Sequence, residues 1–205
     1  MEVPTDPSHV NAYMGIGYGF QIRTGCDGAD TCEAGRDATK IFGGYRFTPS
    51  LATEVSYYYL GHMDKTWATG NSNRPSSTYI NSSNQEVLAG TASFEKSKTS
   101  AFGIGLALES EMFPNAFNGR FVQHLRVGLA VTREVKEQTW DLTSGAITDG
   151  LPTTTKKTKN RVLPYVGAGL SFGLSPRWRV FTSADTLIGP DRNYYVFSVG
   201  GGGEF

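Results

Sequence analysis

Residues 41–63 read IFGGYRFTPSLATEVSYYYLGHM, and the alternation in this stretch decides the fold. It divides into two long strands around a Thr48-Pro49-Ser50 turn. In the first, Ile41, Gly43, Tyr45 and Phe47 share one face, and Lys40, Phe42, Gly44 and Arg46 share the other. In the second, Leu51, Thr53, Val55, Tyr57 and Tyr59 oppose Ala52, Glu54, Ser56 and Tyr58. Successive strand side chains point to opposite faces, so each strand has one mostly apolar face and one carrying charge and small residues. A soluble sandwich buries the apolar face and wets the charged one. A membrane barrel does the reverse, giving lipid the apolar face and enclosing the charged one. The rest of the chain must choose between them.

Composition narrows the choice. A chain of 205 residues fits one undivided all-β domain. Charged residues make up 19% of it, below the ~25% of ordinary soluble domains, beside 25 glycines and 12% aromatics. No apolar run reaches the roughly 18 residues of a transmembrane helix. The mean hydropathy of −0.30 is no objection to a membrane barrel, because alternating strands average to a polar score. A formal net charge of +0 argues against a nucleic-acid partner, which calls for a basic excess. The opening MEVPTDPSHV lacks a signal-peptide pattern, which for an exported protein implies mature numbering behind an added Met1.

From Ala12 to Ile22 the chain reads AYMGIGYGFQI, with Met14, Ile16, Tyr18, Phe20 and Ile22 on one wholly apolar face. The other face, Tyr13, Gly15, Gly17, Gly19 and Gln21, is small enough to leave room inside a narrow barrel. No helix-forming segment follows GIGYG, so it does not read as a phosphate-cradling loop. A polar loop, Arg23 to Arg36, holds Cys26 and Cys32, the only cysteines. In an exported protein these most simply form a local disulfide; a metal site calls for more ligands and a redox pair for C-x-x-C. Asp27, Asp30 and Glu33 lack the calcium-loop pattern and read as a solvated acidic loop.

Alternation lapses from about Asp64 to Lys96, a Ser/Thr/Asn-rich segment that reads as a large mobile loop, with a discounted glycosylation match at Asn81-Ser82-Ser83. It resumes with Phe102, Ile104, Leu106 and Leu108 opposite Ala101, Gly103, Gly105 and Ala107. After a connection around 110–119, Leu125, Val127, Leu129 and Val131 oppose Arg126, Gly128, Ala130 and Thr132. A second polar loop, about Lys136 to Lys159, carries Lys156, Lys157 and Lys159, a solvated charge run or a contact for lipopolysaccharide phosphates. A Ser175-Pro176-Arg177 turn joins two further strands, and a short loop at 189–193 precedes the last.

The sum is eight strands, about 12–22, 37–47, 51–61, 97–109, 120–134, 160–174, 178–188 and 194–205, after a lead-in at 1–11. Long polar loops alternate with short turns, and an even strand count puts both termini on the short-turn side. The predicted fold is an all-β, eight-stranded antiparallel up-and-down transmembrane β-barrel with short periplasmic turns and long extracellular loops. Closure removes edges that flat apolar strands would otherwise expose. Aromatics sit where interfacial girdles belong: Tyr45, Phe47, Trp178 and Phe205 towards the turns, and Tyr57, Tyr59 and Tyr195 towards the loops.

These residues also resemble a family. The GGYRF-TP turn with its LATEVSYYYLGHM strand is similar to the second and third strands of the outer membrane protein A transmembrane domain. VLPYVGAGLSFGLSPRWRVFTSADTL, 162–187, resembles that family's sixth and seventh strands, and FSVGGGGEF its closing strand. The resemblance implies a Gram-negative outer-membrane protein, and a terminal Phe205 read by the outer-membrane assembly machinery. With the chain ending there, the peptidoglycan-binding domain of longer members is not expected. It also aligns Glu54 with a lumenal glutamate and Arg126 with an inward arginine on the fifth strand. Arg46 and Arg179 face inward by parity, with Glu204 and Asp185 as further inward candidates. A buried carboxylate needs a partner, so the expected network pairs Glu54 with Arg126, helped by Arg46 or Arg179, and plugs the bore. The family's lumenal lysine falls at Gly105 or Ala107 and its second glutamate at Ser171, which implies a thinner network here.

Three functional classes follow. The first is a non-enzymatic outer-membrane barrel acting through its loops in adhesion, host-factor binding or envelope integrity. The second is a small ion-conducting pore or a conduit for small apolar molecules. The third is an outer-membrane lipid- or peptide-modifying enzyme. That class needs gathered Ser/His/acid groups, whereas His9, His62 and His124 show no partner at readable spacing apart from Asp64 near His62. The first class leads, with no cofactor, metal or nucleic acid, and with outer-membrane lipids, lipopolysaccharide, the assembly machinery and a host or surface ligand as partners.

Overall fold

In the computed structural model the described residues are 12–23, 26, 28–111, 120–175, 177–190 and 192–205. The lead-in at 1–11 with His9, together with Asp27, residues 112–119, Pro176 and Asp191, lies outside them. The described residues form an all-β protein, with ten strands and one short helix among them. In order these are β1 (Ala12–Arg23), β2 (Thr31–Ala34), β3 (Asp37–Thr48), β4 (Leu51–Thr66), β5 (Ser76–Ile80), β6 (Glu86–Glu111) and β7 (Phe121–Leu142). Helix α1 (Ser144–Thr148) follows, then β8 (Thr154–Gly173), β9 (Trp178–Leu187) and β10 (Tyr194–Glu204).

All pairings are antiparallel, within one sheet ordered β2-β4-β3-β1-β10-β9-β8-β7-β6-β5, and β4 also pairs with β6. The described residues thus hold ten strands where the sequence reading gives eight. The two additional strands lie in segments that read as loops. Ser76–Ile80 and Glu86–Thr91 form a hairpin whose turn is held by Asn81 Oδ1, accepting from Ser83 N and Gln85 N at 3.0 Å each. Asn84, at φ 57°, supplies the left-handed residue that Asn tolerates well. The second expected loop is likewise mostly strand, because β7 runs to Leu142 and β8 begins at Thr154. Only 143–153 stays outside the ladder; there Thr143 Oγ1 accepts from Ala146 N at 3.5 Å to cap α1. Thr-rich, mixed-charge strands with polar residues on both faces show no apolar alternation, which is why they escape a sequence reading.

The faces are inverted relative to a soluble protein. Ile104, Leu129 and Val162 point away from the protein with 57%, 56% and 65% of their surface exposed. Lys40, Glu54 and Arg126 point inward with 0%, 1% and 5%. The same parity holds in β1, where Met14, Ile16, Tyr18, Phe20 and Ile22 face out. A sandwich would have buried these residues, so a lipid environment is the solvent that suits them. No described helix is long and apolar enough to cross a membrane. β6, β7 and β8, with 26, 22 and 20 residues, exceed the roughly 9–11 that span a bilayer. Much of their length therefore stands beyond the apolar band, with β2 and β5 pairing alongside.

Leu129→Arg distinguishes this inversion from an ordinary exposed sheet face. Refolded into lipid vesicles, the variant is expected to lose about 2–4 kcal/mol of stability by denaturant titration, because its charge meets hydrocarbon. A wet sheet face would leave stability nearly unchanged.

Candidate functional site

The charges enclosed by the sheet fall into two groups. The first joins four strands: Lys40 on β3, Glu54 on β4, Arg126 on β7 and Asp185 on β9. Lys40 Nζ lies 3.0 Å from Asp185 Oδ2 and 3.7 Å from Glu54 Oε1. Arg126 Nε lies 3.1 Å from Glu54 Oε1, and its NH1 lies 3.5 Å from Asp185 Oδ1. Two cations thus alternate with two carboxylates. Tyr13 donates to Glu54 Oε2 at 3.3 Å, and Ser183 donates to Asp185 Oδ2 at 3.1 Å. The Lys40 ammonium also stands 5.1 Å from the Phe42 ring centre and 5.3 Å from that of Tyr58. Room for Asp185 depends on Gly167, since a Cβ there would collide with the carboxylate.

The second group lies nearer the short turns. Arg46 Nε donates to Glu109 Oε2 at 2.7 Å and its NH2 donates to Glu204 Oε1 at 3.0 Å. Arg179 Nε reaches Glu204 Oε1 at 2.7 Å, closing a second neutral set of two cations and two carboxylates. His124 Nδ1 lies 3.4 Å from Glu109, and its Nε2 lies 2.8 Å from Ser171 Oγ. A cavity of about 40 Å³ runs between the groups, bounded by Tyr13, Arg46, Glu54, Glu109 and Arg126. It has room for about two or three waters. On the loop side an apolar cluster that includes Tyr58, Leu60, Leu163, Tyr165, Leu187 and Val196 fills the interior.

The structure brings Glu54 and Arg126 together but sends Arg46 and Arg179 elsewhere, to Glu109 and Glu204. The second cation at Glu54 is Lys40, so the expectation of a thinner network is corrected. A lysine on β3 occupies the interior where positions 105 and 107 on β6 offer none. Parity alone signalled Lys40 and Glu109 as inward; it could not name their partners, which are 145 and 63 residues away. The histidine reading also misses His124's two contacts, because Ser171 comes from another strand, 47 residues on.

Ser171, His124 and Glu109 stand in the order of a hydrolytic triad, yet the surroundings oppose catalysis. Arg179 NH1 donates to Ser171 Oγ at 3.4 Å and Arg46 engages the Glu109 carboxylate. Ser171 is buried, and the adjoining 40 Å³ cannot admit an ester. Among the described residues no group of three or more His, Cys, Asp or Glu could hold a metal ion.

The remaining sequence candidates are peripheral. Tyr45, Phe47, Tyr57, Tyr59, Trp178 and Phe205 are exposed, while Tyr195 is half-buried with its hydroxyl 3.4 Å from Asn193 Nδ2. Cys26 and Cys32 are joined in a disulfide at the base of β2. Nearby, Asp30 accepts from Ala68 N at 2.7 Å and from Asn71 Nδ2 at 2.8 Å. Those hydrogen bonds hold its carboxyl below the usual aspartate range, the side-chain bond from Asn71 most of all. In this acidic loop Asp30 is thus a staple to 68–71.

A strand-built protein with an apolar exterior and a charge-paired interior defines an integral protein of the bacterial outer membrane. Residues 7–183 match the OmpA-like transmembrane domain, and the chain belongs to that family. Among solved structures it is similar to Ail, the attachment invasion locus protein of Yersinia pestis, at 12% identity and a TM-score of 0.52, covering 96% of this chain and 99% of that one. The N-terminal β-barrel domain of Pseudomonas aeruginosa OprF gives 11% and 0.52, covering 96% and 98%. Neisserial surface protein A gives 14% and 0.52, covering 95% and 97%. At such identities the likeness is one of fold. A comparison with curated proteins yields no match.

Glu54→Ala leaves Lys40 and Arg126 facing each other with one carboxylate between them. It is expected to cost about 3–5 kcal/mol in urea unfolding from lipid vesicles. Glu54→Leu combined with Lys40→Met restores the charge balance and should recover much of that loss. Equal stability of Glu54→Ala and wild type would remove the network from any structural role.

Proposed function

We propose that β1, β3, β4, β6, β7, β8, β9 and β10 close into a single-domain, eight-stranded barrel whose work is structural and lies at the cell surface. The pairing pattern supports closure. Each of these strands has a neighbour on both sides, and β4–β6 joins the two ends of the series. Hydrocarbon offers no hydrogen bonds, so a spanning strand needs both neighbours. The short connections at 48–50 and 174–177, with both ends of the described chain, then face the periplasm. The extended parts of β4, β6, β7 and β8, with β2, β5 and α1, face outward.

The observation that carries the reading is the pair of neutral, buried ion sets beneath an apolar plug. An eight-stranded bore is just wide enough for side chains, and here charged and aromatic side chains occupy it. Glu54, Arg126, Arg46 and Arg179, with Lys40, Asp185, Glu109 and Glu204, act as a lumen plug. The protein is accordingly non-catalytic and needs no cofactor. What remains available for function is the outer extension, a paired platform stiffened by the Cys26–Cys32 disulfide. Ail is named for attachment and invasion, and Neisserial surface protein A for its place at the surface. A surface role of that kind suits this platform, with a host or surface ligand meeting its loops. Lipopolysaccharide surrounds the barrel, and the assembly machinery engages β10.

Single-channel recording in planar bilayers tests the plug. Wild type is expected to be silent, and Glu54→Ala to show small openings as water enters beside Arg126, which keeps only Asp185 as a partner. Steady conductance of the wild type would overturn the plug and make the protein a small pore.

A further inference from the structure

Outside the barrel, on the face that meets lipid, β4, β6 and β7 enclose a groove of about 230 Å³ lined by Tyr57, Tyr59, Lys98, Ser100, Arg133 and Val135. Its place is set by strand register. Tyr57, Phe102, Val131 and Val162 lie opposite one another across four strands and form an apolar row. The next outward row towards the loops is Tyr59, Ser100, Arg133 and Asn160. The row after that carries His62, Lys98, Val135 and Thr158. Arg133 therefore stands level with Tyr59, at the edge of the apolar band, and Lys98 one row beyond it. Those are the levels at which the headgroups of the outer leaflet begin.

Three features make this a site and not a random pair of charges. First, the groove is built by an irregularity: β4 slips register between Tyr59 and His62, with Gly61 at φ 63°. A Cβ at Gly61 would meet Gln21 and the backbone oxygens of Gly35 and Asp37 within 2.9 Å, so glycine is required there. Second, neither the Lys98 nor the Arg133 side chain has an ion pair or hydrogen bond to another described residue, and both are exposed. Their register neighbours are Ser100, Asn160, Val135 and His62, none of which offers a carboxylate. One step further out on the same face, Lys96 does find a carboxylate, Asp64 at 3.7 Å. Third, Lys98 and Arg133 occupy diagonal positions on adjacent strands, about 7–8 Å apart at their Cβ atoms. That spacing lets two long cationic side chains converge on one tetrahedral anion.

We propose that this groove binds the phosphorylated headgroup of lipid A in the outer leaflet, with Lys98 and Arg133 holding a phosphate and Tyr57 and Tyr59 packing along the glycolipid beneath it. The inference rests on the outward orientation of the loops proposed above. It places the lipopolysaccharide contact on the barrel wall, away from the Lys156, Lys157 and Lys159 run. Within that run Lys156 and Lys159 stand opposite Glu137 and Glu134 in the ladder, where acidic neighbours weaken any pull on phosphate. Guanidinium and ammonium are well matched to a phosphate dianion, and tyrosine rings suit a boundary that is apolar on one side and wet on the other.

The test uses the full chain refolded into vesicles of phosphatidylcholine alone, with bisphosphorylated lipid A, and with dephosphorylated lipid A. After transfer to detergent, lipid A retained per protein is measured by mass spectrometry, and folding is checked separately by heat-modifiable gel mobility. Wild type should retain bisphosphorylated lipid A, and the Lys98→Gln/Arg133→Gln pair should retain at least about tenfold less. The Lys156→Gln/Lys157→Gln/Lys159→Gln variant should match wild type. Equal retention by the Lys98/Arg133 variant, or equal retention of the dephosphorylated lipid by wild type, overturns the site. The dephosphorylated arm needs no variant and decides the matter even if the substitutions impair folding. A folded wild type that retains no lipid A overturns the site alone, whereas failure to fold into any vesicle overturns the barrel reading beneath it.

Discussion

The closed set of charges formed by Lys40, Glu54, Arg126 and Asp185 is the constraint on which the interior depends. A charge without water is tolerable only with a partner, and each of these four has two. Removing one leaves a surplus that nothing nearby can absorb, because the neighbouring side chains are Phe42, Tyr58, Tyr13 and small residues. The set does not exist for the sake of net stability, since a well-packed apolar core of the same volume is often as stable. What it adds is register. Its four strands are separated along the chain, and only one relative arrangement of β3, β4, β7 and β9 brings all four charges together. An interior of aliphatic side chains could slide by two residues and repack; this one cannot do so without separating charges.

The strand faces were legible in the sequence, and the reason is physical. Lipid and lumen differ in polarity more sharply than core and solvent do, so each residue in β1, β3, β4 and the membrane part of β6 and β7 declares its side. Met14 through Ile22 and Phe102 through Leu108 alternate without exception. The signal fails at the point where the solvent changes. Beyond Ser100 and Arg133 the outer face meets water and the buried inner face carries polar residues such as Glu95, Ser97 and Thr99, so alternation of polarity fades although the ladder continues. Thr154–Asn160 and Ser76–Ile80 are strands held by backbone pairing and β-branched or hydroxyl residues, so they look like loops to a reading based on polarity.

The site was legible only in part for a related reason. Parity says which side chains enter the interior but gives no azimuth or depth within it. Glu54 and Arg126 could be paired through resemblance, whereas Lys40 and Asp185 meet across 145 residues of sequence with no local trace. Glu109 and His124 are directly paired in the ladder of β6 and β7, but the length of the connection between the expected strands does not fix their register. Lys40 on β3 supplies an interior cation where Gly105 and Ala107 on β6 supply none. An interior charge is required at a point in space, and any strand passing that point can supply it.

The depth of the ion set follows from the strands themselves. On β4 the outward-facing run from Leu51 to Tyr59 covers nine residues, about 30 Å of strand at 3.4 Å each and about 23 Å of height at a tilt near 40°. That matches the apolar band of roughly 25 Å found on such proteins. Glu54 lies near the centre of this run, so the four-charge set sits close to the bilayer midplane, where the surrounding dielectric is lowest and lone charges are least tolerable. The Arg46, Glu109, Arg179 and Glu204 set lies nearer the turns, at a depth where water can approach, and its members are accordingly less completely buried. Burial and completeness of pairing therefore rise together towards the midplane. That gradient is expected when hydrocarbon thickness, acting through the wall, decides how closely each interior charge must be matched.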